Sequence, residues 1–136
     1  MSDVESFKRI INYENMSSSE LDTLKKKLLL RQKTFQLKTL AQNNFLKFVK
    51  QVWPEFVEGP HHIKIAEKFQ DLAEGRINRL IVNMPPRHTK SEFASFLLPA
   101  WMMGRDPRLK IIQTTHTAEL SYRFGRKVRN LMEENT

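Results

Sequence analysis

Leu80-Ile81-Val82-Asn83-Met84-Pro85-Pro86-Arg87-His88-Thr89-Lys90-Ser91 is the stretch whose reading decides the fold. Its first three residues form a short continuous apolar run, the pattern of a strand buried on both faces. Two prolines and a polar run then make a loop. From Lys90 and Ser91 the chain enters a helix-like stretch carrying Phe93, Phe96, Leu97 and Leu98, which Pro99 should kink or end. A strand that leads through a loop and a Lys-Ser pair into a helix is the setting of the phosphate-binding loop, G-x-x-x-x-G-K-[ST]. There, backbone N–H groups curl around phosphate, a lysine reaches its oxygens, and a hydroxyl meets magnesium at a helix N-terminus whose dipole favours anions. Lys90 and Ser91 fill the last two places, but Met84 and Thr89 stand where the pattern has glycine. Two readings of the residues stay open: a nucleotide loop, and a plain strand-loop-helix stiffened by proline.

Outward from this stretch the chain alternates. Upstream, His61 begins a helical face of Ile63, Ala66, Phe69, Leu72 and Ala73, closed by Gly75 as a left-handed cap. A helix over 44–53 precedes it and stops at Pro54. Further upstream, Ser17 and Glu20 fit a capping box for a long amphipathic helix from about Ser18 to about Ala41. Downstream, Leu109 to Thr114 reads as a second strand and Thr114 to Thr117 as a polar turn. Leu120, Phe124, Val128 and Leu131 then form the apolar face of a last helix, from about Ala118 to Glu133. Strands alternating with helices of this length predict parallel pairing with right-handed crossovers, an α/β fold behind a helical arm.

Composition sets the bounds. The 136 residues with 40% hydrophobic content suffice for one core. Lys and Arg number 23 against 15 Asp and Glu, a net charge of +8, which suits phosphate-rich partners. Nine Phe and two Trp carry too much apolar mass for a disordered basic tail. There is no cysteine, so disulfides, zinc ribbons and thiol catalysis are excluded. No apolar run approaches a membrane span, and MSDVESFKRI lacks the apolar stretch of a secretory signal, so a cytosolic protein is expected.

Arg79 to Glu92 closely resembles the variant Walker A region of the large terminase subunit, the ATP-driven DNA-packaging motor of tailed bacteriophages, whose usual form reads PPRHGKSE. Phe45 to His62 (FLKFVKQVWPEFVEGPHH) resembles the lead-in of that family. Leu98 to Gly104 and Lys110 to Leu120 resemble its second strand and following helix. The likeness covers about residues 44–132 and implies an incomplete P-loop NTPase sheet of the ASCE type over 44–136, behind a helical N-terminal arm over 1–43.

Position by position, the resemblance implies ATP and Mg2+ as cofactors. Lys90 would bind the β and γ phosphates, Ser91 would ligate magnesium, and Arg87 would be the catalytic arginine stabilising charge on the γ-phosphate. Pro86, His88, Thr89 and Glu92 complete the loop around the nucleotide, and His62 lies near the position of an adenine-reading glutamine. The bland readings stand beside these: a solvated Arg87, and His62 as a helix N-terminal histidine without a ligand. Thr114 to Thr117 could touch DNA, with Thr117 as an N-cap the alternative, and Arg123, Arg126, Lys127 and Arg129 form a basic face for DNA or a neighbouring subunit, or a solvated one.

Two departures matter. Thr89 replaces the family's glycine, and no apolar run ending in Asp-Glu follows Lys90, so the Walker B carboxylates and the nuclease domain are absent from this stretch. The expectation is an N-terminal ATP-binding segment of a terminase large subunit, an ATPase and endonuclease family, inactive by itself. Its partners would be ATP, double-stranded DNA, the phage portal, the small terminase subunit, copies of itself in a ring, and a complementary chain supplying the rest of the ATPase. It would sit in the host cytoplasm at the procapsid portal, with no membrane. The alternative is a truncated, non-catalytic terminase-like module that binds DNA, portal or a motor chain. A small-molecule P-loop kinase is disfavoured, because no lid or acceptor pocket is recognisable.

Overall fold

The computed structural model describes residues 17–134; residues 1–16 of the expected arm, and 135 and 136, lie outside the described residues. The chain divides into two compact units, Met1–Lys38 and Thr39–Thr136.

In the first unit the capping box forms: the Ser17 N–H donates to Glu20 Oε2 at 2.8 Å, and the Glu20 N–H donates back to Ser17 Oγ at 3.4 Å. These bonds satisfy donors that the first turn of a helix leaves free. Helix α1, Ser18–Asn43, follows. It is not the amphipathic helix expected. Leu28, Leu29, Leu30, Phe35, Leu37 and Leu40 are all exposed, because three consecutive leucines point around the cylinder rather than along one stripe.

In the second unit, α2 (Phe45–Val52) starts where Asn44 Oδ1 accepts the Lys47 N–H at 2.9 Å. Gln70 on α3 (Pro60–Ala73) bridges the break between α1 and α2, accepting from the Phe45 N–H at 3.3 Å and donating to Asn43 O at 3.1 Å. Helix α3 ends as its sequence suggests. Gly75 has φ 73°, its N–H donates to Leu72 O, and the Arg76 N–H reaches Asp71 O, a full Schellman closure.

The helix after Lys90 opens as a π-helical segment, Glu92–Leu97, and continues as α4, Leu98–Arg105. Pro99 therefore does not end it. In an uninterrupted α-helix its ring would meet the Ser95 carbonyl; the wide turn, in which the Leu98 N–H donates to Phe93 O, changes the register first. Helix α5, Ala118–Glu134, buries Phe124 and Val128.

Phe45 is the hub of the core, with Phe69, Phe93 and Trp101 packed at ring-centroid distances of 5.9, 5.7 and 5.4 Å. Val49, Ile65, Ala66, Leu97 and Leu98 fill in around them. Trp101 Nε1 donates to Ala41 O at 2.8 Å, so the one polar atom of that buried ring is satisfied.

The expected α/β parallel sheet is overturned, because the regular structure of the described residues is helical throughout and contains no strand. The strand expected at Leu80 to Val82, buried on both faces, does not form. Leu80, Val82 and Met84 pack on the core in period two, while Ile81 between them is 87% exposed. Around Leu109 to Thr114, Ile112 is 90% exposed. A parallel strand needs a ladder partner and cover on both faces, and neither segment has them. Both remain extended connections. No helix among the described residues is long and apolar enough to cross a membrane.

Candidate phosphate-binding loop

Met84 leaves the core and Pro85 and Pro86 carry the chain into a tight loop that returns at Lys90. Two of its residues adopt a backbone region that side chains disfavour: Arg87 at φ 64° and Thr89 at φ 56°, separated by His88 at ordinary φ. A β-branched residue there is strained by about 1–2 kcal/mol. Backbone in this region, interleaved with residues of negative φ, is the kind from which anion-binding nests are built. The residues Met84 to Glu92 line a concavity of about 440 Å³.

Local bonds hold this shape. His88 Nδ1 donates to Pro86 O at 2.9 Å. The Thr89 hydroxyl donates to His88 O at 2.7 Å, and Thr89 O accepts the Phe93 N–H at 3.0 Å, opening the helix. Lys90 Nζ folds back to Met84 O at 3.3 Å, a long contact that an anion in the concavity can replace. Arg87 and Ser91 project at the rim, with no side-chain hydrogen bond or ion pair among the described residues.

His62 comes to this loop from 27 residues upstream. It is the one buried polar or charged residue among those described, at 7% exposure, and lies in the first turn of α3. Its Nδ1 accepts the Gly59 N–H at 2.9 Å, and its Nε2 lies 2.8 Å from Thr89 Oγ1. Phe56 and Phe93 pack against the ring, and the His61 ring lies 3.8 Å away. Burial lowers its proton affinity below the ordinary imidazole value; His61 and His88 push the same way, and Glu58 opposes them. Both ring nitrogens are thus committed to protein, so His62 supports the loop rather than presenting an edge to a base.

Glu92, expected at the nucleotide, instead accepts from Lys127 of α5, whose Nζ lies 2.9 Å from both carboxylate oxygens and 5.3 Å from the centre of the Phe96 ring. Lys127 is thereby withdrawn from the expected basic face. Arg123 and Arg126 remain exposed on it, and Arg129 pairs loosely with Glu133 at 3.8 Å. Thr117 Oγ1 accepts the Leu120 N–H at 3.4 Å, as an N-cap does.

Magnesium fits only in company with a phosphate ligand. Ser91 offers a hydroxyl at the rim, but Glu92 is neutralised by Lys127, Asp106 is tied to Arg108, and no group of three acidic, histidine or cysteine side chains suited to a metal occurs among the described residues. Such an ion would draw its remaining ligands from phosphate oxygens and water. The structure brings Pro86 to Glu92 and His62 together around one loop. Sequence reading had no signal for the His62–Thr89 and Glu92–Lys127 pairs, since both join segments far apart in the chain. No family model, curated protein or solved structure matches this sequence.

Proposed function

We propose that the loop from Met84 to Ser91 binds the terminal phosphates of a nucleotide, ATP with Mg2+, and that the chain acts as the nucleotide-binding segment of a DNA-packaging motor of the large-terminase kind. The observation that carries this reading is the pair of strained residues, Arg87 and Thr89, immediately before a helix that opens with Lys90 and Ser91. Backbone strain of this kind persists where surrounding structure over-determines it, and both strained residues line one concavity with Lys90 and Ser91. Lys90 would exchange its contact with Met84 O for phosphate oxygens. Ser91 would supply a magnesium ligand, and Arg87, free at the rim, would meet the terminal phosphate.

The carboxylates of the described residues nearest the loop argue for binding without turnover by this chain alone. Glu92 is engaged by Lys127, and phosphoryl transfer needs a carboxylate on the metal and a base on the attacking water. Double-stranded DNA, the portal, the small subunit, a ring of copies and a location in the host cytoplasm at the procapsid rest on the resemblance of Arg79 to Glu92 and its flanks to the terminase family. Calorimetric titration with Mg-ATP and with adenosine tests the reading. It predicts binding of ATP and at least about tenfold weaker binding of adenosine, since charge-assisted phosphate contacts dominate the site. Equal binding of the two would remove phosphate recognition from the account.

A further inference from the structure

We infer that His62 is the positioning residue of the phosphate loop: anchored at Nδ1 by the Gly59 N–H, it donates from Nε2 to Thr89 Oγ1 and so holds Thr89 in the left-handed conformation it adopts where the loop lines the concavity. The inference rests on reading the loop as a phosphate site and goes beyond it by naming the side chain that keeps the loop in shape.

The direction of each bond follows from the donors. A backbone N–H can only donate, so Nδ1 of His62 presents its lone pair to Gly59 and the neutral ring carries its proton on Nε2. That proton faces Thr89 Oγ1. The threonine's own proton goes to His88 O, so every atom in the relay from Gly59 to His88 is used. Glycine is the residue that takes positive φ freely. With threonine there instead, a fixed donor on the hydroxyl replaces glycine's freedom with a tether, and the ring that carries it is held by packing against both Phe56 and Phe93.

The same relay makes the loop sensitive to acid. Protonation would place an N–H on Nδ1 against the Gly59 N–H and break the anchor. The charged and titratable groups facing the ring are His61 beside it in α3, His88 in the loop and Glu58 in the preceding turn; the two histidines resist the proton and the carboxylate favours it.

The test is a variant cycle read by ATP calorimetry, by hydrogen exchange of the amides of residues 87–90 without ligand, and by the ring 15N shifts of His62. His62→Phe keeps an aromatic ring packed against Phe56 and Phe93 but removes both bonds; far-UV circular dichroism reports whether it folds. His62→Gln can accept from Gly59 and donate to Thr89 without titrating. We expect Nε2–H in the neutral protein and faster loop exchange in His62→Phe. ATP binding should fall about tenfold in that variant and be retained in His62→Gln, now without its loss in acid. Thr89→Gly combined with His62→Phe should recover binding, since glycine needs no tether. Unchanged loop exchange in folded His62→Phe, or a proton on Nδ1 of the neutral ring, would overturn the inference. Faster loop exchange in a protein that binds no ATP would support the tether and overturn the nucleotide reading instead.

Discussion

Lys127 on α5 sets its ammonium 2.9 Å from both carboxylate oxygens of Glu92, the first residue of the π-helical segment. The pair is half-buried and clamps the last helix to the turn that follows the phosphate loop. With about a third of each side chain in water, its worth is discounted to about 1 kcal/mol or less. A double-mutant cycle with Lys127→Met and Glu92→Gln, read by urea unfolding, should return a coupling of that size that shrinks in high salt. A coupling of zero would mean that the helices dock without help from this ion pair.

Thr89 is pulled two ways. Replacing it with glycine relieves the strain at φ 56° but forfeits the bond from His62, so Thr89→Gly should change stability by less than about 1 kcal/mol. Thr89→Val keeps the strain and leaves the buried Nε2–H without an acceptor, and should cost about 1–3 kcal/mol. Chemical denaturation of both variants checks the order; a glycine variant weaker than the valine one would show that strain is not what the histidine offsets.

Stability should depend on pH through His62. Its folded proton affinity is below the ordinary imidazole value, so below about pH 6.5 the unfolded chain takes up a proton that the folded chain refuses. The stability contribution is complete above that pH and is lost as the pH falls toward the folded value. His62→Gln should flatten this part of the curve. A wild-type midpoint in urea that does not move between pH 7.5 and 5.5 would contradict the assignment.

How much of this could be read from the residues differs by element. Gly75, the Ser17–Glu20 box and the Asn44 cap are local devices whose partners lie within five residues, and they stand where their residue types imply. The run Leu80-Ile81-Val82 marked an extended segment, but not that Leu80, Val82 and Met84 would face the core while Ile81 faces away from it. Pairing was not, because a ladder depends on a partner that local pattern does not specify, and Ile81 and Ile112 lie open. Pro99 marked a break in helical geometry without saying that a π-helical segment would absorb it. At the site, Lys90, Ser91 and the bend around them followed from the Pro-Pro-Arg-His-Thr-Lys-Ser order. The burial of His62 and the capture of Glu92 by Lys127 did not, since both arise from packing between remote segments.

The proposed nucleotide site turns on Lys90. Its ammonium rests on Met84 O at 3.3 Å, and both residues line the same concavity as Arg87, His88 and Thr89. Calorimetric titration of Mg-ATP into the wild-type chain and into Lys90→Ala, with folding verified by circular dichroism, addresses it directly. Binding by the wild type and a loss of at least about tenfold in the variant are expected, the worth of a charge-assisted contact. Equal affinity in the two proteins, or no binding by the wild type, would contradict it.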